Sequence, residues 1–134
     1  MRAKMLGAAA AFAALACAPG KEQPERLVLK QGRQYTTWLY GNQYDKLWDR
    51  FSPEMRQTFG SVTDLASFAG RAVNRMGREQ GTVDERVDRA EPYGVYSRSA
   101  SFDRAPKRMR IEWSLTDDGE VTGLLLRPDT DSVQ

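Results

Sequence analysis

KRMRIEWSLTDDGEVTGLLLRP, residues Lys107–Pro128, reads as two strands joined by a tight turn. Met109, Ile111, Trp113 and Leu115 alternate with Arg108, Arg110, Glu112 and Ser114. A period of two is expected where one face of a strand meets a core and the other meets water. Thr116-Asp117-Asp118-Gly119 has the composition of a turn, with Gly119 able to adopt the positive φ a tight hairpin requires. The return segment, Val121 to Arg127, is apolar on both faces and is expected to be covered on both, with Pro128 ending it.

Two further strands are expected just upstream. Thr82 to Arg89 sets Val83, Glu85 and Val87 against Asp84, Arg86 and Asp88, a sparse alternation suited to a sheet edge, where charge discourages pairing with another sheet. Pro92-Tyr93-Gly94 turns the chain into Val95–Phe102, which carries Tyr96, Arg98, Ala100 and Phe102 on one face.

Before Gly81 the period is helical. Val28, Gly32, Tyr35 and Leu39 recur at i, i+4, i+7 and i+11, predicting a helix over 26–40, with Trp38 on an adjacent, wetter stripe. Gly32 weakens that helix by ~1 kcal/mol relative to Ala, which suggests close approach of another element. Tyr44, Leu47, Trp48 and Phe51 outline a second helix. Ser52-Pro53-Glu54 opens a third with an N-cap, a proline at the first position and an acid in the first turn. Ser61-Val-Thr-Asp64 opens a fourth, whose stripe is Leu65, Ala69, Val73 and Met76. Helices followed by antiparallel strands predict an α+β fold, N-terminal helices packed on a curved antiparallel sheet of about four strands.

The N-terminus has a different character. Arg2 and Lys4 precede an uncharged run, Met5–Ala16, too short to span a bilayer, which takes about 20 apolar residues. Such a segment reads as an export signal, residues 1–16. The single cysteine, Cys17, closes Ala14-Leu15-Ala16-Cys17, which resembles the lipobox of bacterial lipoproteins. That resemblance implies cleavage before Cys17 and lipid on its sulfur, residues 17–25 then forming a lipidated tether. Ala18, standing where an Asp would signal inner-membrane retention, points to the outer membrane of a cell that has one. The competing reading takes Ala14-x-Ala16 as an ordinary signal-peptidase site that releases a soluble secreted or periplasmic protein.

Loss of residues 1–16 lowers the basic count from 20 to 18, equal to the 18 acidic residues. The pI near 8.8 therefore belongs mainly to the signal. Basic and acidic residues are interspersed rather than gathered into a stripe, so nucleic acid is not an expected partner. One cysteine permits no intrachain disulfide, and stability must come from the core.

With the elements placed, the chain resembles the nuclear transport factor 2-like (cystatin-like α+β) superfamily, in particular a bacterial domain of unknown function often found ahead of serine hydrolases. The residues carrying the resemblance are Gly41-Asn-Gln-Tyr-Asp-Lys-Leu-Trp-Asp-Arg-Phe-Ser52 and Ile111–Pro128, and it extends over 26–128, with 129–134 a polar tail. It implies a cone-shaped domain with a pocket between sheet and helices, a scaffold that hosts binding modules, association modules and some isomerases, so that fold alone does not decide function.

The chain contains no histidine, which removes Ser-His-acid and Cys-His arrangements and the usual zinc ligand sets. Asp117-Asp118-Gly119 lacks the spaced oxygen ligands of a calcium loop. No metal ion and no cofactor is expected. Acid/base catalysis would need a carboxylate such as Asp45 or Asp49 beside Tyr35 or Tyr44, yet both acids fall on the polar side of their helix. The expected pocket lining is Tyr35, Trp38, Tyr44, Trp48, Tyr96, Arg98, Phe102 and Trp113. Arg98 is the oddity among them. Either it places a cation at the mouth of an aromatic pocket, suited to a carboxylate or phosphate, or the opposite strand face points inward and its long stem reaches solvent. These features favour an exported, lipid-anchored, non-enzymatic domain binding a small molecule or an envelope protein. The alternatives are an isomerase- or dehydratase-like enzyme with a pocket carboxylate, and a module, such as a homodimer through the sheet, that docks an envelope hydrolase.

Overall fold

In the computed structural model, which describes residues 22–130, four helices precede a four-stranded antiparallel sheet, an α+β fold. The helices are α1 (Glu22–Tyr40), α2 (Tyr44–Arg50), α3 (Pro53–Phe59) and α4 (Val62–Met76). The strands are β1 (Glu79–Ala90), β2 (Tyr93–Phe102), β3 (Met109–Leu115) and β4 (Val121–Pro128), and they lie side by side in chain order. Among the described residues no helix is long and apolar enough to cross a membrane.

The helix ends follow their local chemistry. Ser52 Oγ accepts from the Met55 amide at 3.2 Å and Ser61 Oγ from the Asp64 amide at 3.1 Å, each satisfying a donor with no intrahelical partner. The start of α1 differs from expectation. Described from Glu22, α1 already runs through part of the stretch read as tether. Phe51 lies outside α2 as its C-cap. There it forms a parallel bridge to Val121, and the Ser52 amide donates to Val121 O at 2.9 Å.

The core is the inner face of the sheet and the stripe of α1 that covers it. Val28, Tyr35 and Leu39 of α1 are buried with Leu47, Leu65, Ala69, Tyr96, Ile111, Trp113, Leu115 and Val121. Gly32 provides the close approach its position suggested. A Cβ there would overlap Cγ and Cδ1 of Tyr96 and lie 2.6 Å from Tyr96 Cβ, so α1 rests almost directly on β2. Trp113, fully buried, meets Tyr35 edge-on with centroids 5.7 Å apart and donates from Nε1 to Thr36 Oγ1 at 3.0 Å. Its indole N–H thus finds the partner that a buried Trp requires.

The expected hairpin is present, with Trp113 opposite Leu124 and Ile111 opposite Leu126. Gly119 takes φ +81°, and the Gly119 amide donates to Thr116 O at 2.9 Å. The turn is clamped from outside: the Tyr35 hydroxyl donates to Gly119 O, and Arg50 Nη2 donates to Asp118 O at 2.7 Å.

Two expectations about the sheet need correction. First, β4 is not covered on both faces. A register shift between Ser114 and Leu115 lets Val121 and Leu124 share the core face, while Leu125, 43% exposed, faces solvent. A bulge, not a second covering layer, makes the strand look apolar throughout. Second, β1 begins at Glu79 and β2 at Tyr93, earlier than their alternations suggested. An irregularity between Gln80 and Asp84 interrupts the first pattern, with Gly81 inside it at φ +74°.

A smaller apolar cluster, Met76, Ala100 and Phe102, lies further along the same sheet face, with Tyr40, Val83 and Met109 packed against it. Arg98 stands on β2 between Tyr96 of the main core and Ala100 of this cluster.

Candidate functional site

Tyr96, Arg98, Ala100 and Phe102 face the helices, as the first of the two readings of Arg98 required. Its charge, however, is matched from within the fold. Arg98 Nε and Nη2 donate to the two oxygens of Glu79 at 3.0 and 2.6 Å, a bidentate fork, and Nη1 lies 3.4 Å from Glu85 Oε2. Register explains the convergence. Glu85 is the cross-strand partner of Arg98, while Glu79 lies opposite Phe102. The extra residues of the Gln80–Asp84 irregularity leave both glutamates on the inner face, bracketing one arginine.

The network continues to the helix layer. Arg33 on α1 donates to Glu85 from Nε at 2.9 Å and Nη2 at 2.8 Å, and the Tyr96 hydroxyl donates to the same carboxylate. These hydrogen bonds, that of Arg33 foremost, hold the Glu85 carboxyl at about 2, against the opposing pull of burial. Burial, followed by the Glu85 hydrogen bond, pushes the Tyr96 phenol up to about 12. The Glu79 hydrogen bonds raise Arg98 further above its already high value.

Beside Glu79 the surface opens into a groove of about 370 Å³. Its walls are the end of α1 (Tyr40), the end of α4 (Val73, Asn74, Gly77), the start of β1 (Arg78, Glu79) and the β2–β3 loop (Asp103, Arg104). Asp103 Oδ1 accepts from the Arg78 amide at 2.8 Å, and Arg104 Nη1 donates to Asn74 O at 3.2 Å, which folds the loop against α4. Gly77 is what lets Asp103 come so close, since any Cβ there would overlap its carboxylate. Among the described residues the buried Tyr40 hydroxyl makes no close hydrogen bond, and burial together with the nearby Glu79 carboxylate raises its pKa. A second concavity of about 340 Å³ runs along α1 and is lined by Arg26, Leu29, Lys30, Arg33, Gln34 and Thr37.

The residues expected to line a pocket are dispersed. Tyr35, Tyr96, Phe102 and Trp113 are buried packing elements, Phe102 against Tyr40 with centroids 5.9 Å apart. Trp38 tilts onto Tyr35 at 5.5 Å, and Lys46 Nζ sits 5.9 Å from its ring. Trp48 lies elsewhere, with Arg56 5.8 Å from its ring. Tyr44 donates to Asn42 Oδ1 at 2.8 Å, and burial raises its pKa. Asp45 and Asp49 are exposed. Cys17 and the export signal lie outside the described residues. Among the described residues no three acidic, Cys or His side chains gather closely enough to hold a metal ion.

Sequence reasoning passed over Glu79, Glu85, Arg33 and Tyr40. One signal was available: Glu85 and Arg98 each interrupt the inward-facing side of strands expected to be neighbours, and opposite charges on such faces invite pairing. The chain matches no family model, no curated protein and no solved structure.

Proposed function

We propose that this chain is an exported, lipid-anchored, non-catalytic domain of the cell envelope, built on a nuclear transport factor 2-like scaffold, which binds a small molecule. The observation that carries the non-catalytic part is the state of the inward-facing carboxylates. Glu79 is held in a bidentate ion pair, and Glu85 is held at about 2 by Arg33 and Tyr96. A pocket general acid or base needs the opposite shift, upward toward neutrality. Glu79, gripped by Arg98, and Glu85, gripped by Arg33 and Tyr96, build a rigid wall instead. The groove beside Glu79, with cationic side chains at its rim and a buried hydroxyl in its lining, is the binding surface that this wall supports.

The anchor rests on the basic start, the short apolar run and Cys17. The test is fractionation of cells expressing the full chain and its Cys17→Ala variant. Cys17→Ala should leave the precursor unprocessed by the lipoprotein pathway and abolish acyl labelling. Unchanged processing and membrane association in the variant would rule out the lipid anchor.

A further inference from the structure

Resting on the binding reading above, we infer that the groove between the ends of α1 and α4 is a site for a small organic anion, a carboxylate or phosphate ester with a compact apolar body. Three kinds of donor converge on it. Arg78 stands in the link between α4 and β1 and Arg104 in the β2–β3 loop, and among the described residues the Arg104 guanidinium donates one hydrogen bond to the fold, to Asn74 O. A guanidinium carries five N–H donors and suits the forked geometry of carboxylate and phosphate oxygens. The Tyr40 hydroxyl adds a neutral donor, buried beside the Glu79 carboxylate and making no close hydrogen bond among the described residues. A buried donor without a close partner is uncommon, and a ligand acceptor that reached it would be stabilised.

The negative groups in the lining do not oppose an anion as strongly as their number suggests. Arg98 neutralises Glu79 from behind, and the Arg78 amide engages Asp103 Oδ1. Val73 provides an apolar wall, and a volume of about 370 Å³ matches the lower end of small-molecule sites, roughly 300–1,000 Å³.

The experiment is an NMR titration of the full chain in mild detergent, using benzoate and inorganic phosphate as separate probes. Saturable shifts are expected at the backbone amides of Gly77, Arg78, Asp103 and Arg104. A response to benzoate but not to phosphate identifies the carboxylate class, and the reverse identifies phosphate. Arg104→Ala and Arg78→Ala should each weaken binding about tenfold, the scale of one lost charge-assisted hydrogen bond. Tyr40→Phe should weaken it less, with the amide spectrum otherwise unchanged, which separates ligand contact from misfolding. If either probe saturates at other amides while the groove stays silent, the groove assignment is wrong and the binding reading survives. If neither probe produces a saturable shift anywhere, the anion site is overturned. Affinity in both arginine variants equal to that of the unmodified chain would overturn it as well.

Discussion

Gly32→Ala is a perturbation whose sign depends entirely on the α1–β2 contact. In an exposed helix the change would stabilise the protein by about 1 kcal/mol, the difference in helix propensity. Here the new methyl would overlap the Tyr96 ring and lie 2.6 Å from Tyr96 Cβ. A side-chain rotation cannot relieve a contact at Cβ, and Tyr96 is fully buried with its hydroxyl committed to Glu85. Either α1 lifts from the sheet or β2 shifts beneath it, and overpacking of this kind costs about 1–3 kcal/mol. Because the clash involves the root of the side chain, the upper end applies, for a net loss of about 2 kcal/mol. A domain of this size should then melt roughly 8–12 °C lower. The assay is thermal and urea denaturation followed by circular dichroism, comparing Gly32→Ala with Gln34→Ala, a change on the exposed side of the same helix. A melting temperature equal to or above that of the unmodified chain would refute the packing of α1 on β2.

Other perturbations probe the remaining parts of the fold. Trp113→Ala should cost about 3–5 kcal/mol, whereas Trp113→Phe should cost only about 1–2 kcal/mol from lost volume and the lost indole hydrogen bond to Thr36, whose hydroxyl still donates to Gly32 O; denaturant titration distinguishes them. Arg98→Met leaves Glu79, 18% exposed, without its counter-ion and should destabilise by about 2 kcal/mol, with Arg98→Met/Glu79→Gln recovering part of the loss in a double-mutant cycle. Glu85 links stability to pH through a folded pKa of about 2, below its ordinary 4.5. Its contribution is therefore complete above about pH 4.5 and disappears as pH falls toward 2. Arg33→Gln removes the leading cause of that depression, so its urea midpoint should fall less steeply over this range than that of the unmodified chain.

What could be read from the residues was whatever depends on local periodicity and caps. The alternation from Met109 to Leu115 and the Asp-Asp-Gly turn specified the hairpin. Ser52 and Ser61 marked helix starts because a hydroxyl three residues before an orphan amide is a local device. Gly32 announced a close contact, though nothing local could name Tyr96 as the partner. Bulges were less visible, since one inserted residue changes the phase of a strand without leaving a distinctive residue type. That is why β4 looked doubly apolar; β1 appeared to begin late because the Gln80–Asp84 irregularity, with Gly81 inside it, adds two residues near its start.

The site was harder to read because its pairings are remote in sequence. Arg33 and Glu85 are 52 positions apart, and Arg98 and Glu79 are 19. An aromatic residue on an amphipathic face fits equally well as packing or as pocket lining. Tyr35, Tyr96 and Trp113 became packing, because α1 comes down onto β2 at Gly32 and closes the space above them. The opening lies instead where α1 and α4 both end and the charged start of β1 begins, a place that no single periodic pattern describes.

The most direct test of an anchored binding domain is native mass spectrometry of the full chain extracted from its own membranes in mild detergent. The account predicts a diacylglyceryl-modified Cys17 and a retained small molecule that is lost in the Arg78→Ala/Arg104→Ala variant. An unlipidated chain recovered from the soluble fraction, with no bound mass, would contradict it.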